Sequence, residues 1–476
     1  MFQRPSFQQP QGRAPHMKNH DAHLVQTLAA ATAVATALTS FAANAACTAG
    51  TLDTAFGAAG TGGYVQAGPV LLNGTTGDVS GALLSPDNGF VLNIAAGMDS
   101  SSNTILGIAK FKHGGTLDTT YGGFGVASPG GFAPYASGPE SAMTQDSAGN
   151  VIDVRLDGAG ITVTRFTAAG NLDLSYGSSG STTVALANLT GFAPIDATAL
   201  ADGSVLVTSG AKNPSASNSS QPFVAKFTPS GALDATFGSG GISYFYSPAV
   251  TDPSSWGVGT GIATLPSGKI VLVGRFQPAA GHRVTYVAQL LADGSLDATF
   301  GTGGLTLVDM SPAYPFAQGR KIVVQPDGKL VVAGNGNDAL GNFVAMLFRF
   351  LPTGSLDAGF GSGGKTVLTT AFGLIGYTVA LQNNGKILVG SAIQTDAAGD
   401  NFTGAVIRFT SAGTLDTAFG SGGFAMVLPA GWSYDSVGDV LYLSGGKIVA
   451  RAQAGQGSLV ADFIVRLDSG SGSGCH

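Results

Sequence analysis

The sequence predicts an all-β protein, a seven-bladed β-propeller, from three observations: a composition of turns and β-branched runs, one eight-residue signature that recurs seven times, and a near-constant spacing between its copies. Of 476 residues 73 are Gly and 21 are Pro, and Glu140 is the single Glu among 28 acidic residues. Gly and Asp favour turns where Glu favours helix, so a helical protein is excluded. Hydrophobic residues make up 44% and charged residues 11%, a mixture that buries a large core and is unlike a disordered chain. A formal net charge of −6 argues against nucleic acid and anionic membrane as partners.

Residues 1–46 read as a secretory signal peptide. The Ala-rich stretch Leu24 to Ala46 follows Arg4, Arg13 and Lys18, and Ala43-Asn44-Ala45 fits the small-x-small cleavage rule. Met17 offers a second, more compact start. Gln26 and the Thr/Ser residues weaken the stretch as a membrane anchor, and no other run approaches the ~18 apolar residues of a spanning helix. Removing three basic residues and one acidic residue with this segment changes the formal −6 to −8, so the exported body is mildly acidic.

From residue 47 to 468 the chain is repeats. The signature Gly-x-Leu-Asp-x-x-Phe/Tyr-Gly occurs around Asp53, Asp118, Asp173, Asp234, Asp297, Asp357 and Asp416, at intervals of 55 to 65 residues. Midway through most units a turn precedes an apolar run, as in Ser267-Gly268-Lys269 before Ile270 to Val273 and Asp327-Gly328-Lys329 before Leu330 to Val332. Turn residues between β-branched runs signal a hairpin, and a continuous apolar run signals a strand covered on both faces. Eight residues before the signature Asp stands a basic residue: Lys110, Arg165, Lys226, Arg349 and Arg408, with Gln289 as the departure. About four short strands fit such a unit, the size of a propeller blade. An open solenoid or a string of sandwiches is the competing reading, but an unclosed array needs polar end caps, and none is evident. The last unit supplies Val465-Arg466-Leu467 with no signature after it, and the first signature has no strand before it. The two ends are therefore expected to complete one blade.

These units resemble the bacterial delta-sixty propeller repeat, whose hallmark is the turn-Gly-Lys-apolar strand followed by Gly-x-Leu-Asp-x-x-Phe-Gly. The resemblance covers essentially all of residues 47–468. Two units depart, one with Tyr121 and Gly122-Gly123-Phe124, the other with Tyr176 and Ser178-Ser179-Gly180. It implies a secreted or surface propeller and supplies no catalytic residues.

The seven signature Asp residues are expected to be structural, each carboxylate accepting backbone N–H groups just ahead of it. Gly238, Gly240 and Gly241 lack the Lys-Ser/Thr ending of a phosphate loop and read as turn glycines. His113, His282 and His476 are scattered, no zinc spacing occurs, and neither a catalytic centre nor a cofactor is expected. Thr395 to Asn401, with Asp396 and Asp400, reads as a solvated turn and not a calcium loop. Trp256 and Trp432 are expected to pack in the core before they bind anything. The functional expectation is a binding or adhesion scaffold that recognises an extracellular glycan or protein through irregular loops such as Asn213 to Gln221 and Pro312 to Gly319, working as a monomer. The alternative is a metal-dependent hydrolase or lactonase-like propeller with a site in the central channel. Cys47 and Cys475 flank the closing seam ahead of and within the flexible 469–476 tail. In an oxidising compartment they invite a disulfide; the rival reading makes Cys47 a lipidated N-terminus.

Overall fold

The computed structural model describes residues 48–470 except 58–62, 68–70, 73–81, 85–88, 99–103, 124, 128–139, 158–159, 187–194, 213–219, 246–255, 278–281, 399–400, 428–431, 433, 444 and 457–458. The expected signal peptide, Cys47, Cys475 and most of Asn213 to Gln221 lie outside the described residues. Every described regular element is a strand. They form seven antiparallel sheets, and the first strand of each sheet touches the first strand of the next, all the way round and back to the start. The result is a closed seven-bladed propeller with the first strands around its axis.

Blade 4 shows the pattern: Trp256–Thr264, Ile270–Gln277, Val284–Leu290 and Leu305–Val308 follow one another in chain order and in space. Blades 1 to 3 span 82–127, 140–185 and 196–244, and blades 5 and 6 span 318–368 and 373–426. The run Ile270 to Val273 is apolar throughout because both faces of the sheet are covered. Ile270 and Leu272 pack with Leu206 and Val224 of blade 3, while Val271 and Val273 pack with Leu330 and Val332 of blade 5. Burying each such side chain is worth roughly 1.5–3 kcal/mol.

Blade 7 is shared between the chain ends. Its inner three strands are Tyr434–Tyr442, Lys447–Gln456 and Leu459–Asp468, and its fourth is Tyr64–Gln66, paired as Tyr64 with Val465 and Val65 with Ile464. Asp53 N–H donates to Arg466 C=O at 2.8 Å, the bond that Asp118 makes to Lys110 and Asp416 to Arg408 inside single units. The seam thus reproduces the geometry of an unbroken repeat.

The signature joins each third strand to its fourth and also fastens each blade to the next. In all seven copies the Gly after the aromatic donates its N–H to the residue just before the next signature, from Gly57 to Gly114 at 2.9 Å through to Gly420 to Ala49 at 2.6 Å, which closes the circle. The leading Gly of each signature lies against the previous unit's aromatic. Gly413 has φ of +81°, and a Cβ there would stand 2.6 Å from the Phe360 ring. Only glycine accepts both that φ and that approach.

The unit with Tyr176 departs at one backbone position. Ser179 has φ of 55°, where Gly240, Gly303, Gly363 and Gly422 stand in other units. A left-handed non-glycine residue costs about 1–2 kcal/mol, offset in part by the extra unfolded-state entropy of glycine. Ser179→Gly is therefore expected to stabilise the protein by about 0.5 to 1 kcal/mol, read as a rise in denaturation midpoint at constant m-value. A fall would show that the serine side chain has a compensating role.

Candidate functional site

The repeated charges hold the blades together. Each signature Asp accepts the N–H two residues ahead, from Ala55 on Asp53 at 3.1 Å to Ala418 on Asp416 at 3.3 Å. The basic residue eight positions earlier faces the same carboxylate: Arg165 to Asp173 at 2.8 Å, Arg349 to Asp357 at 2.9 Å and Arg408 to Asp416 at 2.7 Å. Arg466 does the same across the seam, with Nε 2.7 Å from Asp53 Oδ2. These arginines also cover the signature aromatic, with Arg408 Cζ 4.4 Å from the Phe419 ring centre and Arg466 Cζ 4.6 Å from that of Phe56. Their Nη1 groups reach backbone carbonyls of the next blade, Arg408 to Ser469 and Arg466 to His113. Where Gln289 replaces the basic residue, the turn lysine Lys269 is the cation that remains, its Nζ 2.7 Å from Asp297. The Gly-Lys turn provides a second cation to the signature carboxylate, as Lys386 does for Asp416.

These contacts set a pH dependence. The Lys269 ammonium, then the Thr299 hydroxyl, hold the Asp297 carboxyl down at about 2, and Thr236 followed by Lys226 hold Asp234 at about 2. Asp173 is lowered through Ser175. For Asp53 and Asp416 burial works in the opposite direction and is outweighed by the adjacent cations. Because the folded values lie below the unfolded value of about 3.9, this stabilisation is complete above that value and is lost as pH falls through the folded ones. The Tm is expected to be level from pH 7 to about 5 and to drop between about pH 4 and 2. A Tm level down to pH 2 would show that these carboxylates contribute nothing to stability.

Among the described residues the metal and catalytic candidates lie apart. Among the described residues no group of three His, Cys, Asp or Glu side chains stands close enough to hold a metal ion. Asp439 and Asp462 approach one another only through Arg451, whose guanidinium lies 3.8 Å from the first and 2.9 Å from the second. His113 is exposed in a signature hairpin. His282 lies 3.5 Å from Asp309 on the opposite end of the ring. In the 395–401 turn Thr395 N–H donates to Asn401 C=O, and the Asn401 side chain reaches the Asp396 carboxylate, as a self-contained turn does.

The two ends of the ring differ. At one end lie the signature hairpins, which recur in every blade, and the described turns between first and second strands, four of them Gly-Lys turns. The opposite ends of the strands are joined by segments whose length and sequence vary from blade to blade. Phe316, Leu340 and Phe372 are on this end, with relative exposures of 38%, 87% and 39%. Trp256, the first residue of its strand, is half-buried and packs against the blade 3 core, with Arg275 Cζ 5.3 Å and Arg283 Cζ 6.0 Å from its ring centre. Trp432 is edge-on to Phe463 at 5.2 Å and packs into blade 7, so core packing accounts for it.

Four first strands carry a β-bulge at matching places, at Thr260, Arg320, Tyr377 and Gly438. A bulge re-aims its side chain. Arg320 and Tyr377, from adjacent blades, consequently meet with Cζ 5.1 Å from the ring centre. Arg320 Nε donates to Asn335 Oδ1 at 2.6 Å, and Arg283 Nε to Gln277 Oε1 at 3.2 Å. Arg283 Cζ also stands 5.8 Å from the Phe316 ring centre. Burial, then the charge of nearby Arg320, lowers the Arg283 pKa. Nearer the axis Lys321 Nζ spans to Asp196 at 2.7 Å, and the same carboxylate accepts the Ile262 N–H at 2.9 Å. Of these residues the sequence singled out Trp256 and the segment containing Phe316; the arginines and Tyr377 went unnoticed. The available signal was subtraction. Once residues at repeat positions are set aside, Arg275, Arg283, Arg320 and Lys321 remain as a cluster of basic residues.

Four stretches, 200–237, 265–300, 325–360 and 382–419, match the family model described as "Domain of unknown function (DUF5122) beta-propeller". Each begins at the turn before the second strand and ends at the signature, so what matches is the constant part of blades 3 to 6. The chain is a β-propeller of repeated blades. Two structures of a PL25 ulvan lyase align over 85% of this chain and 96% of theirs at 10% identity, with TM-scores of 0.53 and, for the form bound to -[GlcA(1-4)Rha3S]-, 0.51. A Trypanosoma rangeli sialidase aligns over 80% of this propeller and 59% of its own chain at 12% identity, with a TM-score of 0.39. Likeness at such identity is likeness of fold. No curated protein matches the propeller's sequence.

Proposed function

We propose that this propeller, of the delta-sixty repeat kind, is an exported or cell-surface binding scaffold whose variable end recognises a glycan or protein. The observation that carries this reading is the division of each blade. The constant turns gather at one end and bond blade to blade, while the irregular segments gather at the other, with half-exposed aromatics and unrepeated arginines. A rigid ring that presents variable loops is suited to recognition. The ulvan lyase, a propeller of the same fold, holds a saccharide, which is compatible with a glycan ligand. The signal-like residues 1–46 support export. A glycan array on the protein spanning residues 47–476, with metal analysis of the same sample, tests the reading. Specific binding without stoichiometric metal is expected; turnover that depends on a bound metal would replace it with the hydrolase reading.

The same reading includes a disulfide between Cys47 and Cys475. Gly50 N–H donates to Asp468 C=O at 2.6 Å, and Gly470 lies against Ala49, so the described residues nearest the two cysteines meet at the seam. A bridge enclosing over 400 residues is worth about 6 kcal/mol in the chain-entropy description. Intact mass of the exported protein is expected to show the loss of two hydrogens. A diacylglycerol adduct on Cys47 would overturn the pairing.

A further inference from the structure

We propose that the patch formed by Trp256, Arg275, Arg283, Phe316, Arg320 and Tyr377 is a binding site for a carboxylated or sulfated saccharide. The inference rests on the reading of the variable end as the recognition face and names the chemistry that face selects.

The charges of this patch differ in kind from those of the repeat. Arg165, Arg349, Arg408 and Arg466 each hold the carboxylate of a signature Asp. Arg283 and Arg320 have neutral amide oxygens as side-chain acceptors, those of Gln277 and Asn335. The neighbouring carboxylates are engaged elsewhere, Asp309 with His282 and Asp196 with Lys321. Two half-buried guanidiniums on neighbouring segments are therefore without a carboxylate ion-pair partner among the described residues, in a chain whose formal charge is −6. Each uses Nε to fix its orientation, which leaves the paired amino edge suited to a planar anion. An anion placed there relieves the repulsion between them.

One buried polar atom beside the arginines is unsatisfied. Gln318, 5% exposed, donates from Nε2 to the same Asn335 oxygen that Arg320 holds, at 3.1 Å, and its Oε1 is buried without a hydrogen-bond partner among the described residues. A buried acceptor left open costs about 1–3 kcal/mol, and a hydroxyl donor removes that cost. Around these groups stand the rings of Trp256, Phe316 and Tyr377, each with a guanidinium over one face. Flat rings, forked cations and a hydroxyl acceptor match a pyranose bearing an acidic substituent. The three-arginine patch in an acidic chain lacks the extended basic field that nucleic acid needs. An acidic peptide would use the arginines and leave the rings without a role.

Calorimetric titration of the protein spanning residues 47–476 with four probes tests this: oligogalacturonate, dextran sulfate, neutral dextran and poly-L-glutamate. At least one acidic saccharide is expected to bind more tightly than neutral dextran and poly-L-glutamate. Arg283→Gln and Arg320→Gln are each expected to weaken it at least tenfold with unchanged Tm. Phe316→Ala, at an exposed ring, is a further variant whose folding is not at stake, and it is expected to weaken binding as well. Unchanged affinity in all three variants, preference for poly-L-glutamate, or no binding of either acidic saccharide would overturn the proposal. If the glycan array at the same time finds a neutral ligand, the recognition reading stands and only the acidic chemistry falls.

Discussion

A chain truncated after Leu443 is expected to lose the first signature along with the last blade. The truncation removes Lys447–Gln456 and Leu459–Asp468, and with them the partner of Tyr64–Gln66. Asp53 then loses Arg466 and Lys447 together and remains a carboxylate without its cations. Arg408 loses the Ser469 carbonyl, and Phe56 loses the guanidinium covering it, so damage reaches blades 6 and 1 from the seam. Removing one partner of a buried pair alone costs about 3–5 kcal/mol. Adding the loss of two strands whose described residues are mostly buried exceeds the roughly 5 kcal/mol lower margin of a typical domain. Hydrogen exchange should find residues 50–66 unprotected and no cooperative melt. Protection of 50–66 at the level of the intact protein would mean that the first signature does not depend on the last blade.

The second large effect is expected from deleting residues 298–357. This cut is in register, joining Asp297 to Ala358 so that the signature reads through, and it removes one full period. In an open array such a cut shortens the protein and leaves stability roughly proportional to the remaining units. In a closed ring six blades must span a circle made for seven. The chain of Gly N–H bonds that ends at Gly420 to Ala49, and the Arg466 contacts with Asp53 and His113, cannot all form at once. An unpaired edge strand results, with the aggregation risk of exposed strand edges. Insoluble product or a non-cooperative transition is expected. A soluble six-unit protein with a sharp melt would show that the ring tolerates a change of blade number.

How much of this could be read from the sequence follows the division between constant and variable parts. The eight-residue signature and the Gly-Lys turns announced the blades, and the orphaned first signature announced the seam. The signature is local and repeated, so the sequence displays it seven times, with the Gly-Lys turn in four units. The pairing of signature Asp with the basic residue eight positions earlier was also legible, because both lie in one hairpin. The third partner was not: Arg466 reaches His113 across 353 positions, and Arg408 reaches Ser469 across 61, distances set by ring closure. Lys269 as the remaining cation where Gln289 stands depends on two strands lying side by side, which the spacing alone does not disclose. The candidate site was the least legible part. Arg320 and Tyr377 meet because two bulges on adjacent strands turn them toward each other, and no periodic pattern encodes a bulge. Arg275 sits inside an apolar run, where its neighbours conceal it.

The ring has a constant end that closes it and a variable end proposed to bind. Hydrogen exchange of the protein spanning residues 47–476, with and without whichever acidic oligosaccharide binds, tests that division most directly. Protection is expected at 256–259, 282–285, 314–320 and 375–378, with the seven signature hairpins unchanged. Protection confined to the signature hairpins, with those four stretches unaffected, would contradict it.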